Sequence, residues 1–426
     1  MIDETLAGEI LAAVEDGFSR QIAFTQELVR FPSLRGAERP AQDWMFARMN
    51  ERDLKMDRWA IDVEAIRDHP GFSPVTVDYS DAVNVVGAHR PREGGGRSLI
   101  LNGHVDVVPA GPREMWSRDP FDPHLEGGWM SGRGAGDMKA GLAANLFALD
   151  ALRALGLQPG GEVFFQSVVE EECTGNGALA ALARGYRADA ALIPEPEDER
   201  LVRANVGVLW FRVHVAGAPV HVADAGAGAN AIEAAFPLVA ALRELEEAWN
   251  AEKAGRAHFD ALDHPINFNP GKIAGGDWAS SVPAWCALDC RISLYPGWKP
   301  AEKAAEIEAC IAAAAARDPF LAKNPPRVEW NGFSAEGYVL EEGSEAEAAL
   351  RRAHARAVGG ELETMVSPAY LDARVFVLYG GAPCLVYGPR SENIHGFDER
   401  VDLASVQRVT GAIALFMAEW CGVERA

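Results

Sequence analysis

The sequence predicts an α/β protein with a mostly parallel central sheet flanked by helices and a smaller α+β domain inserted into it. Three observations carry this expectation. Short apolar, β-rich runs alternate with amphipathic helical stretches up to about residue 200, the texture changes near Ala204, and the alternation resumes after residue 333.

In the first region, strands are expected at Asn84–Gly87, Ser98–Asn102, Val163–Val169 and Ala190–Ile193. Between them, Gly141–Leu155 carries Leu142, Leu146, Leu149 and Leu152 on one helical stripe. The middle region reads as a strand (Val206–Val215), a helix (Ala231–Asn250), two strands (Ile266–Ile273 and Ala284–Leu294), a helix (Glu302–Ala316) and a last strand (Val328–Trp330). That order suits a ferredoxin-like sandwich. Afterwards come helices at Ser344–Ala357 and Ala373–Leu378, a strand at Cys384–Tyr387 and a closing helix at Leu403–Trp420. Residues 1–203 and 334–426 are therefore expected to form one discontinuous domain, with 204–333 as the insert. The alanine run Ala312–Ala316 reads as close helix packing, and Gly94–Gly96 as a turn that lacks the Lys-Ser/Thr and helix start of a phosphate loop.

Composition excludes some partners. Sixty-two acidic against forty basic residues give a formal charge of -22, which repels phosphate backbones and anionic lipid, so neither nucleic acid nor membrane is expected as a partner. The acidic start Met1–Thr5 lacks the basic and apolar segments of an export signal, and no apolar run approaches the ~20 residues that span a bilayer. The six cysteines (173, 286, 290, 310, 384, 421) are scattered. Cys286 and Cys290 share a strand face but stand roughly 13 Å apart, beyond disulfide reach. Reduced core thiols and a cytoplasmic location are the expectation.

Position concentrates the chemistry. His104 and Asp106 follow Leu99–Leu101, Glu171 and Glu172 follow Val163–Val169, Glu195 follows Ala190–Ile193, and His395 follows Cys384–Tyr387. Each polar residue lies just past the carboxyl end of an apolar strand, the edge of an open parallel sheet where ligands bind. Asp137, in the glycine-rich turn Gly132–Met138, has no bulky neighbour to stop both its carboxylate oxygens reaching cations. In His104-Val105-Asp106, alternation puts both side chains on one face, so Asp106 can orient the imidazole. The adjacent carboxylates of Glu170, Glu171 and Glu172 repel one another unless a cation compensates. One of them is expected to bind a metal and its neighbour to remain a free base.

These segments, together with Trp116–Phe121, Lys139, Cys173-Thr174-Gly175 and Glu195-Pro196, resemble the acetylornithine deacetylase, succinyl-diaminopimelate desuccinylase and glutamate carboxypeptidase family of dinuclear zinc metallohydrolases. The resemblance runs from about Asn84 to Val401. It implies that Asp137 bridges two zinc ions, for which cobalt or manganese can substitute, with His104 and Glu195 completing one coordination shell and Glu172 and His395 the other. It further implies that Asp106 orients His104, that Glu171 is the general base, and that the chain is a homodimer.

The segment Gly217–His221 resembles the one in which a lid-domain His reaches the active site of the opposite subunit, which would make His221 an oxyanion stabiliser. Asn230 is open to two readings, substrate contact or N-cap of the following helix. Arg291 matches the family Arg that pairs with a substrate carboxylate, a role suited to a bidentate guanidinium. Ser280 stands where relatives commonly carry Asn, and Tyr370-Leu371 where they often carry small or hydroxylated residues, so specificity is expected to differ from that of the best-known members.

The activity implied is hydrolysis of a small N-acyl amino acid by water attack between two metal ions. A metallo-exopeptidase or dipeptidase uses the same parts and is the alternative. A silent ligand-binding relative would have lost the base or the bridge, and this chain keeps both Glu171 and Asp137.

Overall fold

The computed structural model describes residues 2–426. Its main sheet has six strands in the order Lys55–Ala60, Val83–His89, Val163–Val168, Leu99–His104, Ala190–Ile193 and Cys384–Val386. The last four run parallel, and the first two join antiparallel at one edge. The strands expected from unbroken apolar runs are the central ones, and every residue of Leu99–His104 and Val163–Val168 is buried. A strand covered on both faces has no polar alternation to show.

Helices cover the sheet. Ala140–Ala154 buries Leu142, Leu146, Leu149 and Leu152, as the stripe requires, and packs against Glu4–Val29 and Leu403–Cys421. Glu345–Ala357 lies against Leu403–Cys421. The helices Glu4–Val29 and Arg39–Asn50 extend the fold ahead of the first expected strand. Asp3 caps the former by accepting from Leu6 N at 2.8 Å.

The middle region forms its own four-stranded antiparallel sheet, ordered Phe268–Gly275, Trp285–Leu294, Gly207–Ala216 and Arg327–Ala335. With the helices Ala231–Ala251 and Pro300–Ala315 this is the ferredoxin-like βαββαβ arrangement, and it has a separate apolar core. Its alternating burial is that of a sheet packed on one face only. The chain leaves the main layer beside Asn205 and returns at Tyr338, which pair in a small sheet shared with Thr364–Ser367. Gly207 and Gly337 pass so closely there that a Cβ on Gly207 would lie 2.6 Å from Gly337 N.

A further small sheet matters for the site. Ser391–Glu392 and Arg400–Asp402 pair with each other, and Arg400–Asp402 pairs with Trp129–Ser131. It brings the loop carrying His395 beside the segment that enters the Gly132–Met138 turn. All six cysteines are free, and Cys286 and Cys290 are both buried on one strand face. No helix among the described residues is long and apolar enough to cross a membrane.

Candidate metal centre

The parallel strands deliver their polar ends to one edge of the sheet. His104 closes the central strand and is fully buried. Its Nδ1 donates to the backbone carbonyl of Asp106 at 2.9 Å, while the Asp106 carboxylate, the acceptor expected from the sequence, lies farther off at 3.6 Å. Either acceptor leaves the Nε2 lone pair of the neutral ring free for a cation. Asp106 turns its other oxygen to Glu172 N at 3.1 Å, so it braces the acidic loop as well.

Around Nε2 of His104 lie Asp137 Oδ1 at 3.0 Å, Glu195 Oε1 at 3.7 Å and Glu171 Oε2 at 3.9 Å. Around Nε2 of His395 lie Glu172 Oε2 at 3.1 Å and Asp137 Oδ2 at 3.4 Å. The two oxygens of Asp137 thus face two different donor groups. Ligand atoms of His104, Asp137 and Glu172 all fall within 4.8 Å of one another. Glu195 Oε1 is buried without a hydrogen-bond partner. A buried carboxylate oxygen left unmatched beside an imidazole, among further carboxylates, is a donor set that fits cations.

Electrostatics point the same way. Burial drives the carboxyls of Glu171 and Glu195 well up, and although His104 opposes this, the surrounding acids reinforce it. Glu172 is also raised, by burial and then by Asp137. Asp137 goes the other way: burial works against its ionisation, but His104 and His395 outweigh it and hold the carboxyl far down. Burial opposes a charge on His395, yet Glu172 and Asp137 push it up to about 11. Positive charge is therefore strongly favoured between these carboxylates.

The loop Glu170–Glu172 separates its three acids. Glu170, with φ +67°, turns into the interior and is held by Nε and Nη2 of Arg35 at 2.7 and 2.8 Å, by Tyr79 and by Thr174. Arg35, not a metal, compensates this acid. Glu171 faces His104, and Glu172 faces His395.

The Asp137 turn has a support of its own. Gly134 is left-handed (φ +78°), and a Cβ on Gly136 would come within 2.7 Å of Ser391 Oγ. Glu399 Oε1 accepts from Gly136 N and Asp137 N at 3.0 and 3.1 Å. The segment Trp116–Phe121 packs here too, with the Trp116 ring 5.1 Å from the Arg133 guanidinium and Pro120 O accepting from Arg133 N at 2.7 Å.

Sequence reading missed Arg35, Tyr79 and Glu399. Arg133, a charge inside a glycine turn, was the one visible signal. It also missed Asp372, a buried acid whose Oδ1 accepts from Tyr370 Oη at 3.0 Å and whose charge is felt at Glu171 and Glu195.

The remaining residues lie in or beside the insert. His221 is exposed, its Nδ1 accepts from Ala223 N at 3.1 Å, and none of its hydrogen bonds or ion pairs among the described residues reaches the cluster. Asn230 caps Ala231–Ala251, accepting from Ile232 N and Glu233 N at 3.0 and 3.3 Å. Arg291 donates to Ser293 Oγ and to Pro368 O, the latter at 3.0 Å on the segment leading to Tyr370, and has no carboxylate partner among the described residues. Burial draws its guanidinium down to about 10.

Two donor groups sharing one aspartate at the ligand-binding edge of a parallel sheet define a candidate metal centre, and the family match places it in a metal-dependent amide hydrolase. Residues 100–419 match the model of peptidase family M20/M25/M40, and the chain belongs to that family. An N-formyl-4-amino-5-aminomethyl-2-methylpyrimidine deformylase of Halalkalibacterium halodurans is 29% identical over 98% of both chains. A succinyl-diaminopimelate desuccinylase of Stenotrophomonas maltophilia is 30% identical over 74% of this chain and 81% of its own. The dipeptidase Dug1p of Saccharomyces cerevisiae shares the fold, with a TM-score of 0.77 at 14% identity over 97% of this chain and 98% of its own.

Proposed function

We propose that this protein removes a small acyl group from an N-acyl amine, of the N-acyl amino acid type, using two zinc ions. The observation that carries the reading is the sharing of Asp137 between the His104–Glu195 and His395–Glu172 groups, with Glu171 beside the first. His104, Glu195 and Asp137 would hold one ion, and His395, Glu172 and Asp137 the other. When bound, the ions supply Lewis acidity that polarises an amide carbonyl and acidifies a water.

Glu171 then takes a proton from the attacking water and returns it to the departing amine. Its placement suits this: it is buried and close to His104 Nε2, and no hydrogen bond among the described residues fixes its carboxylate elsewhere. Asp106 holds the His104 ring and, through Glu172 N, the acidic loop. Arg291, without a protein carboxylate, receives a carboxylate of the substrate.

Residues 1–203 and 334–426 act as the catalytic unit in this reading, and 204–333 as a lid through which two copies pair. Trp278, Phe236 and Ile273 support a homodimer, since the insert exposes 72%, 58% and 55% of these large apolar side chains. His221, exposed on the same insert, serves the partner's site, and Asn230 shapes that loop as a cap. Six free thiols suit a reducing, cytoplasmic setting.

The two relatives named by sequence, a deformylase at 29% identity and a desuccinylase at 30%, favour deacylation over peptide cleavage, whereas the dipeptidase Dug1p, at 14% identity, shares the fold alone. A panel of N-formyl, N-acetyl and N-succinyl amines and dipeptides, assayed with added zinc or cobalt, tests the reading. Preference for an acyl amine with dependence on metal is expected. Turnover of dipeptides alone would move the assignment to an exopeptidase, and metal-independent turnover would overturn it.

A further inference from the structure

His104 and His395 are held in unlike ways. His104 ends a buried central strand, paired along its length with Val163–Val168. His395 sits on a half-exposed loop in which Asn393, His395 and Asp398 all have positive φ (57°, 62° and 53°). The loop is the turn of the short hairpin Ser391–Glu392/Arg400–Asp402, whose ladder ends at Glu392 and Arg400 and does not reach His395.

One buried ion pair reaches both this loop and the Asp137 turn. Arg133 Nη1 donates to Glu399 Oε2 at 2.5 Å, and Arg133 Nη2 donates to the carbonyl of Gly396, next to His395, at 3.0 Å. The other Glu399 oxygen takes the amides of Gly136 and Asp137, and the Glu399 carbonyl takes Gly132 N at 2.9 Å. Both side chains are almost wholly buried. The Trp116 ring lies against the guanidinium and meets Phe397 of the loop edge-on at 6.1 Å. A further polar tie of the loop, from Ser117 N and Oγ to Asp398 Oδ1, is exposed and competes with water.

We propose that the Arg133–Glu399 pair is a positioning device that registers the His395 loop on the Asp137 turn, so that the His395–Glu172 cation position, whose two sides it joins, depends on it more strongly than the His104–Glu195 position, which it reaches only through Asp137. This rests on the reading of two cation positions given above. Planar guanidinium geometry is essential to it, because one side chain must serve Glu399 and Gly396 at once. Neither residue touches the reacting atoms.

The test compares wild type with Glu399→Gln, which keeps an oxygen for the two amides but removes the charge, and Arg133→Lys, which keeps the charge but loses the fork. Zinc binding is measured by competition with a chelator, and amide hydrogen exchange is measured on the metal-free proteins. In both variants the zinc at His395 and Glu172 should weaken about 10- to 100-fold, the range seen when a ligand's support is removed, and the zinc at His104 and Glu195, which shares only Asp137 with it, clearly less. Peptides covering 393–398 and the amides of Gly136 and Asp137 should exchange at least about tenfold faster, with Leu99–His104 unchanged.

Equal weakening of both sites, or no weakening of either, overturns the proposal. Faster exchange in Leu99–His104 to the same degree also overturns it, as a general loss of stability. Should wild type bind fewer than two zinc ions, the functional reading fails, and the exchange comparison alone decides whether the pair holds the loop.

Discussion

Glu172 Oε2 lies 3.1 Å from His395 Nε2, although the whole insert intervenes between them in the chain. In the protein alone this contact favours the imidazolium, despite burial, and His395 is pushed up to about 11. A cation needs the neutral ring and ionised carboxylates.

Cation binding should therefore release protons. Below about 11 the cation-free His395 carries a proton that a metal must displace, and Glu171, Glu172 and Glu195, all shifted upward, add in the same direction. Zinc affinity should rise with pH across the neutral range. Titration calorimetry at about pH 7.5 in buffers of differing ionisation enthalpy should register net release of about one proton or more per chain. Proton uptake would contradict the charge assignment.

Glu171→Gln should leave both zinc ions and the fold in place while lowering kcat by about 10²- to 10⁴-fold, the usual contribution of a positioned base. Metal analysis and steady-state kinetics on the same preparation check this. Retained turnover would remove Glu171 from the role of base.

Gly175 is left-handed (φ +70°), and a Cβ there would stand 1.7 Å from Tyr370 Oη. Gly175→Ala should destabilise the protein by about 1–3 kcal/mol through overpacking and disturb the Tyr370–Asp372 hydrogen bond beside Glu171. Adding Tyr370→Phe removes the hydroxyl that clashes most closely while keeping the ring, and should recover part of the lost melting temperature. No difference between the single and double variants would show that the seat of Tyr370 is not what requires glycine.

Mixing His221→Ala with Glu171→Gln subunits tests whether His221 acts across a dimer. Random exchange in a two-fold dimer should restore about a quarter of the sites, because half the dimers are mixed and each has one complete site. Absence of recovery after exchange, shown by differently tagged subunits, would return His221 to a surface role.

Some of the centre was legible because each strand end carries its own polar residue. The unbroken apolar runs before His104, Glu171 and Glu195 mark buried parallel strands, and such strands converge at one edge. The Asp106 carboxylate was expected to accept from His104, yet the Asp106 carbonyl is the nearer acceptor, a choice set by local backbone geometry and not by alternation. Glu170, grouped with its neighbours by adjacency, is turned inward to Arg35. Adjacent carboxylates look alike in a sequence, and only the partner across the fold separates them.

By itself the sequence determined the layer architecture, the inserted α+β unit and the set of acids and imidazoles at the strand ends, because periodicity and turn chemistry are local properties. Tertiary structure alone decided which oxygen of Asp137 faces which histidine, that Arg35 neutralises Glu170, and that Arg133 and Glu399 join the Asp137 turn to the His395 loop. Those are pairings between residues far apart in the chain. Their energies depend on burial and on a few tenths of an ångström, which only the packed chain sets.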